Sequence, residues 1–365
     1  MDAPHPLQLE RPGVGVAYYP FDQRPRSDSC WSVHTGPDGR AYAACCTEHT
    51  GGETATVVRH DKLNDQLEYR FDVDKVTGDL RDSGRATQCK IHYSFVPDVE
   101  TDTLYAATHL SGPPIGERHY NPFAAWHDRD RAFAGARLIA YDCRRDTVRW
   151  TGLMIPREGC RCLAFDPRRQ RLYALTYPRD HFVWYDLRTH ELHDLGRLGS
   201  VNSQCLFTDA RGRVFTFNDR GRMVRYDPDD DRLRTLEHVY PHHPCQSPWH
   251  GVLYDAVADP DRGAVYMAPW KARPRLARYW PEAGPDGRLE DLGPLTDPFP
   301  ADRPIGVNTD HVGGLVFADD GRLYYVKSVW DRDVHAGQPV DRCDVTRSIA
   351  MLSRYDPATG EHEDV

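Results

Sequence analysis

Short runs of alternating apolar and polar residues recur along the chain, and most are followed by a turn rich in Asp, Pro or Gly. Near the C-terminus, GRLYYVKS is followed by SIAMLSRYDPATGEHEDV. The phrase SRYDPATG has counterparts in MVRYDPDDDRL, FVWYDLRTHEL and LIAYDCRRDTV, and more degenerate ones in LARYWPEAGPDGRL and VVRHDKLNDQL. An apolar period of two predicts half-buried β-strands, so each copy predicts a strand, a turn and a second strand.

Another predicted strand pair precedes each of these copies. Its first strand is apolar with small residues, a DG, DPxR or DARG turn follows, and its second strand carries an aromatic residue at a recurring position. These aromatic residues are Tyr42, Tyr105, Tyr173, Phe215, Tyr266 and Tyr324. Six copies of a four-stranded antiparallel unit predict an all-β fold, namely a β-propeller with six readable blades.

The repeats account for nearly all of the chain after Cys30, which predicts a single propeller domain over residues 1–365. Residues 1–29 are too short for a blade of their own. We expect them to form an N-terminal extension or a closing strand, or to contribute to a seventh, irregular blade, so a count of seven stays open. Residues 111–135 and 328–346 are predicted to be insertions at the rim of an active site.

Propeller geometry predicts which residues share one mouth of the channel. The first strand of a blade lines the channel and the second runs antiparallel to it, so the start of the first and the end of the second lie on one face. Counting from the recurring aromatic residue of each blade collects a polar, titratable set at that mouth. The set comprises His92, His109, Arg161, Tyr177, Gln204, His250, Trp270 and His311, with Arg179, Lys271 and Asn308 expected nearby.

This set of side chains favours acid–base chemistry on a carboxylated substrate. Neutral His and Tyr are general acid and base candidates near neutral pH, and the Arg guanidinium matches a carboxylate. A polar pocket of perturbed titratable groups is typical of a binding or catalytic site. The residues therefore predict proton abstraction next to a carboxylate, followed by β-elimination from a uronic acid.

Part of the chain resembles a known family. The segments KIHYSFV…LYAATH and EGCRCLAFDPRRQRLYALTYPRDHFVWYDLRTHELHDLG are similar to the β-propeller polysaccharide lyases that act on uronate-containing glycans, ulvan lyases among them. The resemblance runs from about Lys90 to Glu237 and continues weakly through the later blades. It implies a carbon–oxygen lyase that acts in the channel mouth on a uronic-acid oligosaccharide or another small carboxylated substrate.

The resemblance also implies roles for individual residues. The two His on one family blade and the Tyr at the end of the next blade's second strand match His92, His109 and Tyr177. The family's carboxylate-neutralising Arg lies near the position of Gln204, so we expect Arg161, one blade earlier, to substitute for it. On this reading Tyr177 or His109 is the base, His92 is the acid or orients the substrate, and Arg161 with Gln204 binds the carboxylate.

The net charge limits the classes of binding partner, and the cysteines indicate the cellular compartment. A formal charge of −9, from 46 basic and 55 acidic residues, argues against nucleic acid or a membrane surface as a partner. Ten cysteines, with no apolar leader in MDAPHPLQLERPG, predict free thiols and a cytoplasmic protein. The expected partner is a small acidic carbohydrate or another carboxylated molecule.

Two other functions stay open at this point. The first is a metal-dependent propeller enzyme, an epimerase, lactonase or hydrolase, in which His92, His250 and His311 bind Zn, Mn or Ca. The lyase reading requires no cofactor. The second is a propeller without catalysis that binds a ligand or a protein.

Overall fold

The computed structural model describes residues 7–11, 14–19, 21, 27–47, 54–79, 84–110, 117, 121, 123–199, 203–241, 253–259, 261–269, 274–295, 312–330 and 348–365. It divides into two compact units, residues 1–197 and 198–365. Each unit contains three four-stranded antiparallel sheets whose strands follow one another in chain order.

The first unit contains a hairpin and the first three sheets. The hairpin consists of β1 (Leu7–Arg11) and β2 (Val14–Tyr18). The strands of the sheets are β3 (Ser29–Thr35), β4 (Ala41–Cys46), β5 (Thr56–Asp61) and β6 (Gln66–Asp72); β7 (Lys90–Asp98), β8 (Thr103–His109), β9 (Gly135–Asp142) and β10 (Thr147–Pro156); and β11 (Gly159–Asp166), β12 (Arg171–Tyr177), β13 (His181–Asp186) and β14 (Leu192–Arg197). A short helix, α1 (Val73–Thr77), follows the first sheet.

The second unit contains the other three sheets. Their strands are β15 (Phe207–Thr208), β16 (Val214–Phe217), β17 (Arg222–Asp227) and β18 (Arg232–Val239); β19 (Leu253–Ala258), β20 (Val265–Pro269), β21 (Arg275–Trp280) and β22 (Arg288–Pro294); and β23 (Val312–Phe317), β24 (Leu323–Trp330), β25 (Ser348–Tyr355) and β26 (His362–Asp364). The predicted fold class is confirmed: the chain is a six-bladed, all-β propeller.

The recurring aromatic residues occupy equivalent places in the six sheets. Tyr42, Tyr173, Phe215 and Tyr266 are fully buried, and Tyr105 is nearly so. Each is paired with a residue of its sheet's first strand, for example Tyr173 with Ala164. The sixth sheet differs, because Tyr324 is half-buried there and its neighbour Tyr325 enters the core.

The Asp that ends many of the strands holds the following turn. The buried side chain of Asp142 accepts hydrogen bonds from the backbone N–H groups of Arg144 and Arg145, and Asp166 does the same for Arg168 and Arg169. Asp is favoured at such positions because its carboxylate satisfies turn N–H groups. The Tyr-Asp phrase of the repeat therefore encodes both a core residue and a turn.

The segments outside the blades agree with the prediction only in part. β1 and β2 pair with each other in a separate two-stranded sheet, so this segment does not form a seventh four-stranded blade. In the predicted insertion 111–135, the described residues form turns up to Gly135, where β9 begins. β24 continues to Trp330, beyond the predicted start of the insertion 328–346, and residues 331–347 lie outside the described residues. The prediction of a single domain stays a prediction.

No helix in the described ranges is long and apolar enough to cross a membrane. None of the cysteines among these residues forms a disulfide. The predicted compartment is not tested by either observation.

Candidate functional site

Bulges at the start of the first strand of each sheet in the first unit present the candidate site residues. The strand pairing is interrupted between Cys30 and Ser32, between Ile91 and Phe95, and between Cys160 and Cys162. The residues inside these interruptions include Trp31, His92 and Arg161. A β-bulge leaves a residue out of the ladder and re-aims its side chain, which explains why these three depart from simple alternation.

The second strand of two of these sheets brings a site residue to the same end. Lys90, at the start of β7, pairs with His109 at the end of β8. Gly159, at the start of β11, pairs with Tyr177 at the end of β12. Antiparallel pairing thus places the predicted residues His92, His109, Arg161 and Tyr177 at one end of two neighbouring sheets.

Four rings form a continuous row at this end. Trp31 stacks on His92 with a centroid distance of 4.8 Å and an interplanar angle of 17°. His92 lies 5.0 Å from His109, and His109 lies 5.0 Å from Tyr177, measured between ring centroids. We call these four side chains the ring row; it joins three sheets of the first unit.

A cation lies at each end of the ring row. The Lys90 ammonium is 3.8 Å from the centroid of the Trp31 ring, and the Arg161 guanidinium carbon is 4.8 Å from the centroid of the Tyr177 ring. Lys90 is only 2% exposed. Cations over aromatic faces are held by the ring quadrupole, more strongly when they are desolvated.

Both histidines of the row are neutral near pH 7. Burial, and after it the charges of Lys90 and Arg161, hold the pKa of His92 well below its usual range. For His109 burial is again the first cause of a strongly lowered pKa, followed by His92, Lys90 and Arg161. Each ring is less than 5% exposed. Desolvation and nearby positive charge both disfavour the imidazolium form.

A hydrogen bond fixes the tautomer of His92. Its Nδ1 lies 2.8 Å from the backbone oxygen of Arg161. A carbonyl oxygen only accepts, so Nδ1 carries the proton and Nε2 of the neutral ring has a free lone pair. His92 therefore offers a basic nitrogen at neutral pH.

His109 is fixed by packing more than by hydrogen bonds. Its Nδ1 is buried without a hydrogen-bond partner among the described residues. Burial lowers the pKa of His109, and the backbone of Cys160 acts in the opposite direction. Gly159 leaves no room for a side chain beside this ring: a Cβ there would lie 2.9 Å from Nδ1. The absence of a side chain at residue 159 thus allows His109 its place between His92 and Tyr177.

Arg161 is a fixed cation inside the site. Burial lowers its pKa, while the charge of Asp180 acts in the opposite direction. A guanidinium stays protonated in proteins even so. Its Nε is buried and makes no hydrogen bond within the described part of the chain. The group is therefore suited to binding an anion brought by a ligand.

Arg179, predicted to bind substrate, is engaged elsewhere. Its guanidinium forms an ion pair with buried Glu158 and lies 4.8 Å from the Trp126 ring. Glu158 also accepts a hydrogen bond of 2.5 Å from the Thr176 hydroxyl. Arg179 connects β12 to the 123–134 segment, and none of its contacts with described residues places it in the ring row.

Gln204 belongs to the second unit. Its backbone N–H donates to the Leu253 carbonyl over 2.6 Å, and its side-chain oxygen is buried without a partner among the described residues. The other predicted substrate-binding residues lie outside the described residues, so their roles stay predictions. They are His250, Trp270, Lys271, Asn308 and His311.

The charges described around His92 disfavour a metal ion, and the predicted metal site stays a prediction. No group of three or more His, Cys, Asp or Glu with metal-binding geometry occurs in the described portions of the chain. His92 has Nδ1 committed to a carbonyl, and the charged groups that act on it are Lys90 and Arg161. A divalent cation would meet two positive charges there. Two of the three predicted ligands, His250 and His311, lie outside the described residues.

Sequence reasoning missed Trp31 and Lys90. Trp31 lies eleven residues before Tyr42, the same spacing as between Gln204 and Phe215, so the count used for the other blades would have found it. Lys90 opens the KIHYSFV segment, yet nothing in the sequence shows that its ammonium is buried against a Trp of another sheet. That contact depends on the packing of one sheet on the next.

Comparison with known proteins supports the fold alone. No family model and no curated protein matches the chain. Among solved structures, a streptogramin B lyase has a TM-score of 0.54 at 8% identity, with 93% of this chain and 83% of that one covered. A periplasmic gluconolactonase of Pseudomonas aeruginosa has a TM-score of 0.54 at 11% identity, with 91% of this chain and 83% of that one covered. A Bacteroides uniformis protein described as a 6-phosphogluconolactonase has a TM-score of 0.52 at 13% identity, with 90% of this chain and 81% of that one covered.

These similar structures are β-propellers, and they include lactonases and a lyase. Sequence identities of 8–13% show a shared fold but do not show a shared activity. The resemblance to propeller proteins is therefore confirmed, while the finer resemblance to uronate lyases stays a prediction.

Proposed function

We propose that the chain is an enzyme that removes a proton next to a carboxylate, a carbon–oxygen lyase acting on a uronic-acid oligosaccharide or another small carboxylated substrate. One observation carries this proposal: two neutral histidines lie in a row of rings with a fixed cation at either end. Bases that are unprotonated near pH 7, combined with cations for an anion, are the groups that such a reaction needs.

The two cations favour negative charge in the site. Arg161 offers a planar donor set that matches a carboxylate, and Lys90 adds a second buried positive charge. Removal of the proton next to a carboxylate places a second negative charge on that group. Cations already in place stabilise this charge without reorganisation, so they lower the barrier more than they favour binding.

The ring row supplies the proton transfers. His109, between His92 and Tyr177, takes the proton at the carbon next to the carboxylate; the electron pair of that C–H bond forms the new C=C bond as the neighbouring C–O bond breaks. Tyr177 gives its hydroxyl proton to the leaving oxygen, and the His109 imidazolium then returns a proton to Tyr177. His92 orients the substrate with its free Nε2. Atoms and electrons balance without an oxidant or a cofactor.

Lactone hydrolysis is the second candidate, and the same geometry favours it. A neutral imidazole can activate water, and the two cations can stabilise the oxyanion formed when water attacks the lactone carbonyl. Lactonases among the solved structures of this fold agree with this candidate. It differs from the lyase in its product, which gains a water and has no C=C bond.

One experiment separates the two reactions. The purified chain is incubated with uronate oligosaccharides, following the absorbance of the unsaturated product, and in parallel with aldonolactones, following acid release. Both assays are run with and without a chelator. A chelator-resistant rise in absorbance supports the lyase, acid release alone supports the lactonase, and activity lost with chelator supports the metal-dependent enzyme.

Variants then test the assigned residues. Tyr177→Phe and His109→Gln should each lower the elimination rate by about 10²-fold or more, because each removes a proton-transfer group. Tyr173→Phe, in the same strand, and His193→Gln, on β14, remove a hydroxyl and an imidazole away from the row. If the control variants lose as much activity as the row variants, the assignment of the row is wrong.

A further inference from the structure

A pocket separate from the ring row lies in the first unit. It has a volume of about 440 Å³, and its lining includes Asp79, Arg85, Thr87, Gln88 and Asp130. Pockets that hold small ligands have volumes of roughly 300–1,000 Å³. None of the residues assigned above to the reaction lines this pocket.

The polar wall of the pocket is held in place before any ligand arrives. Arg137 binds both oxygens of Asp79, at 2.7 and 2.9 Å, and the side-chain amide of Gln88 donates to Asp79 over 2.6 Å. The same amide donates to the Gly135 carbonyl over 3.1 Å. Gln88 is buried and cannot turn without breaking these bonds. A preorganised wall binds a ligand at a lower entropic cost.

Asp130 and Ala134 of the lining belong to the 123–134 segment, which is anchored at several points. Arg85 donates to the Arg129 carbonyl over 3.0 Å, and Arg157 donates to the Trp126 carbonyl over 2.8 Å. The side chain of Asp128 accepts the backbone N–H of Asp130. The carboxylate of Asp130 is thereby carried to the pocket on a defined turn.

Charge distinguishes this pocket from the ring row. Asp79 is neutralised by Arg137, and the remaining charged groups of the described lining, Arg85 and Asp130, are of opposite sign. The described groups therefore balance, whereas the ring row has two cations. A balanced wall of carboxylate, guanidinium, amide and hydroxyl groups suits a neutral ligand that both donates and accepts hydrogen bonds.

The pocket and the ring row contact one and the same apolar cluster. Ala86 lines the pocket and also packs with Leu110 and Phe133 in a small apolar cluster. Tyr177 packs against this same cluster, and Leu110 directly follows His109. The pocket and the ring row are thus connected through the packing of Ala86, Leu110 and Tyr177.

We propose that this pocket binds a neutral sugar ring through its hydroxyl groups and holds the sugar next to the reacting residue. The second half of this statement rests on the proposed function, and the first half does not. Carboxylate and guanidinium groups each form paired hydrogen bonds to neighbouring hydroxyls. The substrate is thus an oligosaccharide in which a uronate is joined to an uncharged sugar.

Binding without turnover tests the pocket directly. The probes are the methyl glycosides of glucose, galactose and mannose, with glucuronate as the charged counterpart, measured by calorimetry and ligand-observed NMR. At least one neutral glycoside should bind, and Asp130→Asn and Thr87→Val should each weaken it about threefold to tenfold, the effect of one hydrogen bond. Asp102→Asn, on an exposed turn of the same sheet, and His109→Gln should leave its affinity unchanged.

Two results would overturn the pocket as a sugar site. One is that no neutral glycoside binds the wild-type chain; the other is that the pocket variants, shown to be folded by circular dichroism, bind as well as wild type. If a glycoside binds there but no uronate is eliminated, the pocket stands and the proposed function fails. If elimination occurs, Asp130→Asn should raise KM for a mixed uronate–neutral oligosaccharide with little change in kcat, and an unchanged KM would overturn the placement next to the reacting residue.

Discussion

Gly159→Ala should disturb the ring row through a single methyl group. A Cβ at this position would lie 2.5 Å from the backbone nitrogen of Leu110, 2.9 Å from Nδ1 of His109 and 3.1 Å from the Cα of His109. Distances below 3.0 Å are essentially never seen for a real Cβ. Two of these three atoms belong to the backbone, which cannot move aside as a flexible side chain can. The strands must therefore separate or His109 must shift.

The size of the effect follows from the cost of overpacking. Inserting a methyl group into a tightly packed region costs typically about 1–3 kcal/mol. The φ angle of Gly159 is not in the left-handed region, so the backbone conformation itself suits alanine and the cost is steric. A displacement of His109 by about 1 Å can reduce the rate of the proposed reaction about 10²-fold.

Gly152→Ala is the matched control for this prediction. Gly152 lies in β10 of the neighbouring sheet, where the nearest described neighbour of a new Cβ would be the Trp150 ring at 3.7 Å, an ordinary contact. Urea unfolding followed by fluorescence should show a lower midpoint for Gly159→Ala and an unchanged or slightly higher one for Gly152→Ala. Equal midpoints for wild type and Gly159→Ala, with unchanged activity, would refute the packing argument.

Two further predictions concern protonation. Lys90→Met removes a cation that lowers the pKa of both row histidines, so their NMR titrations and the acid limb of any pH–rate profile should move to higher pH. Lys75→Met, at an exposed lysine, is the control and should leave both in place. If Lys90→Met moves neither, the buried Lys90 charge does not act on the histidines. In the second unit, burial raises the pKa of Asp255 to about 6 although the backbone N–H groups of Ala256 and Leu315 bind its oxygens. Because this folded-state pKa lies above that of the unfolded chain, the stability associated with Asp255 is present below about pH 4 and is lost as pH rises through about 6. Unfolding by urea at several pH values should show this loss in wild type and a flatter profile for Asp255→Asn, and identical profiles would exclude Asp255 as the cause.

Much of the fold could be predicted because its signals are local. Alternation, an Asp-containing turn and a repeated aromatic residue all lie within a few residues of one another, and each copy repeats the evidence. The N-terminal segment was harder, since β1 and β2 have the same alternation as a blade strand. Alternation predicts a strand but does not predict its partner.

The sequence predicted those residues of the candidate site that lie at the ends of predicted strands. Counting from the recurring aromatic residues selected His92, His109, Arg161 and Tyr177, and the structure brings these four together. The count also selected Gln204, whose role stays a prediction, and it gave no reason to separate Arg179 from the row. Arg179 binds the buried carboxylate of Glu158, which lies 21 residues earlier in the chain, and a count of strand positions does not detect that partner.

The sequence by itself determined the repeat, the strand order and the strand ends at which polar residues collect, because these follow from periods and turns along the chain. Tertiary structure alone decided which groups touch: Lys90 over Trp31, Gly159 against His109, and the pocket lined by residues 78–79, 85–88, 130 and 134. It also decided protonation, since the pKa of a histidine depends on burial and on charges from other sheets. The chemistry of this site depends on side chains that are neighbours in space but far apart in the chain, and local sequence patterns do not predict such contacts.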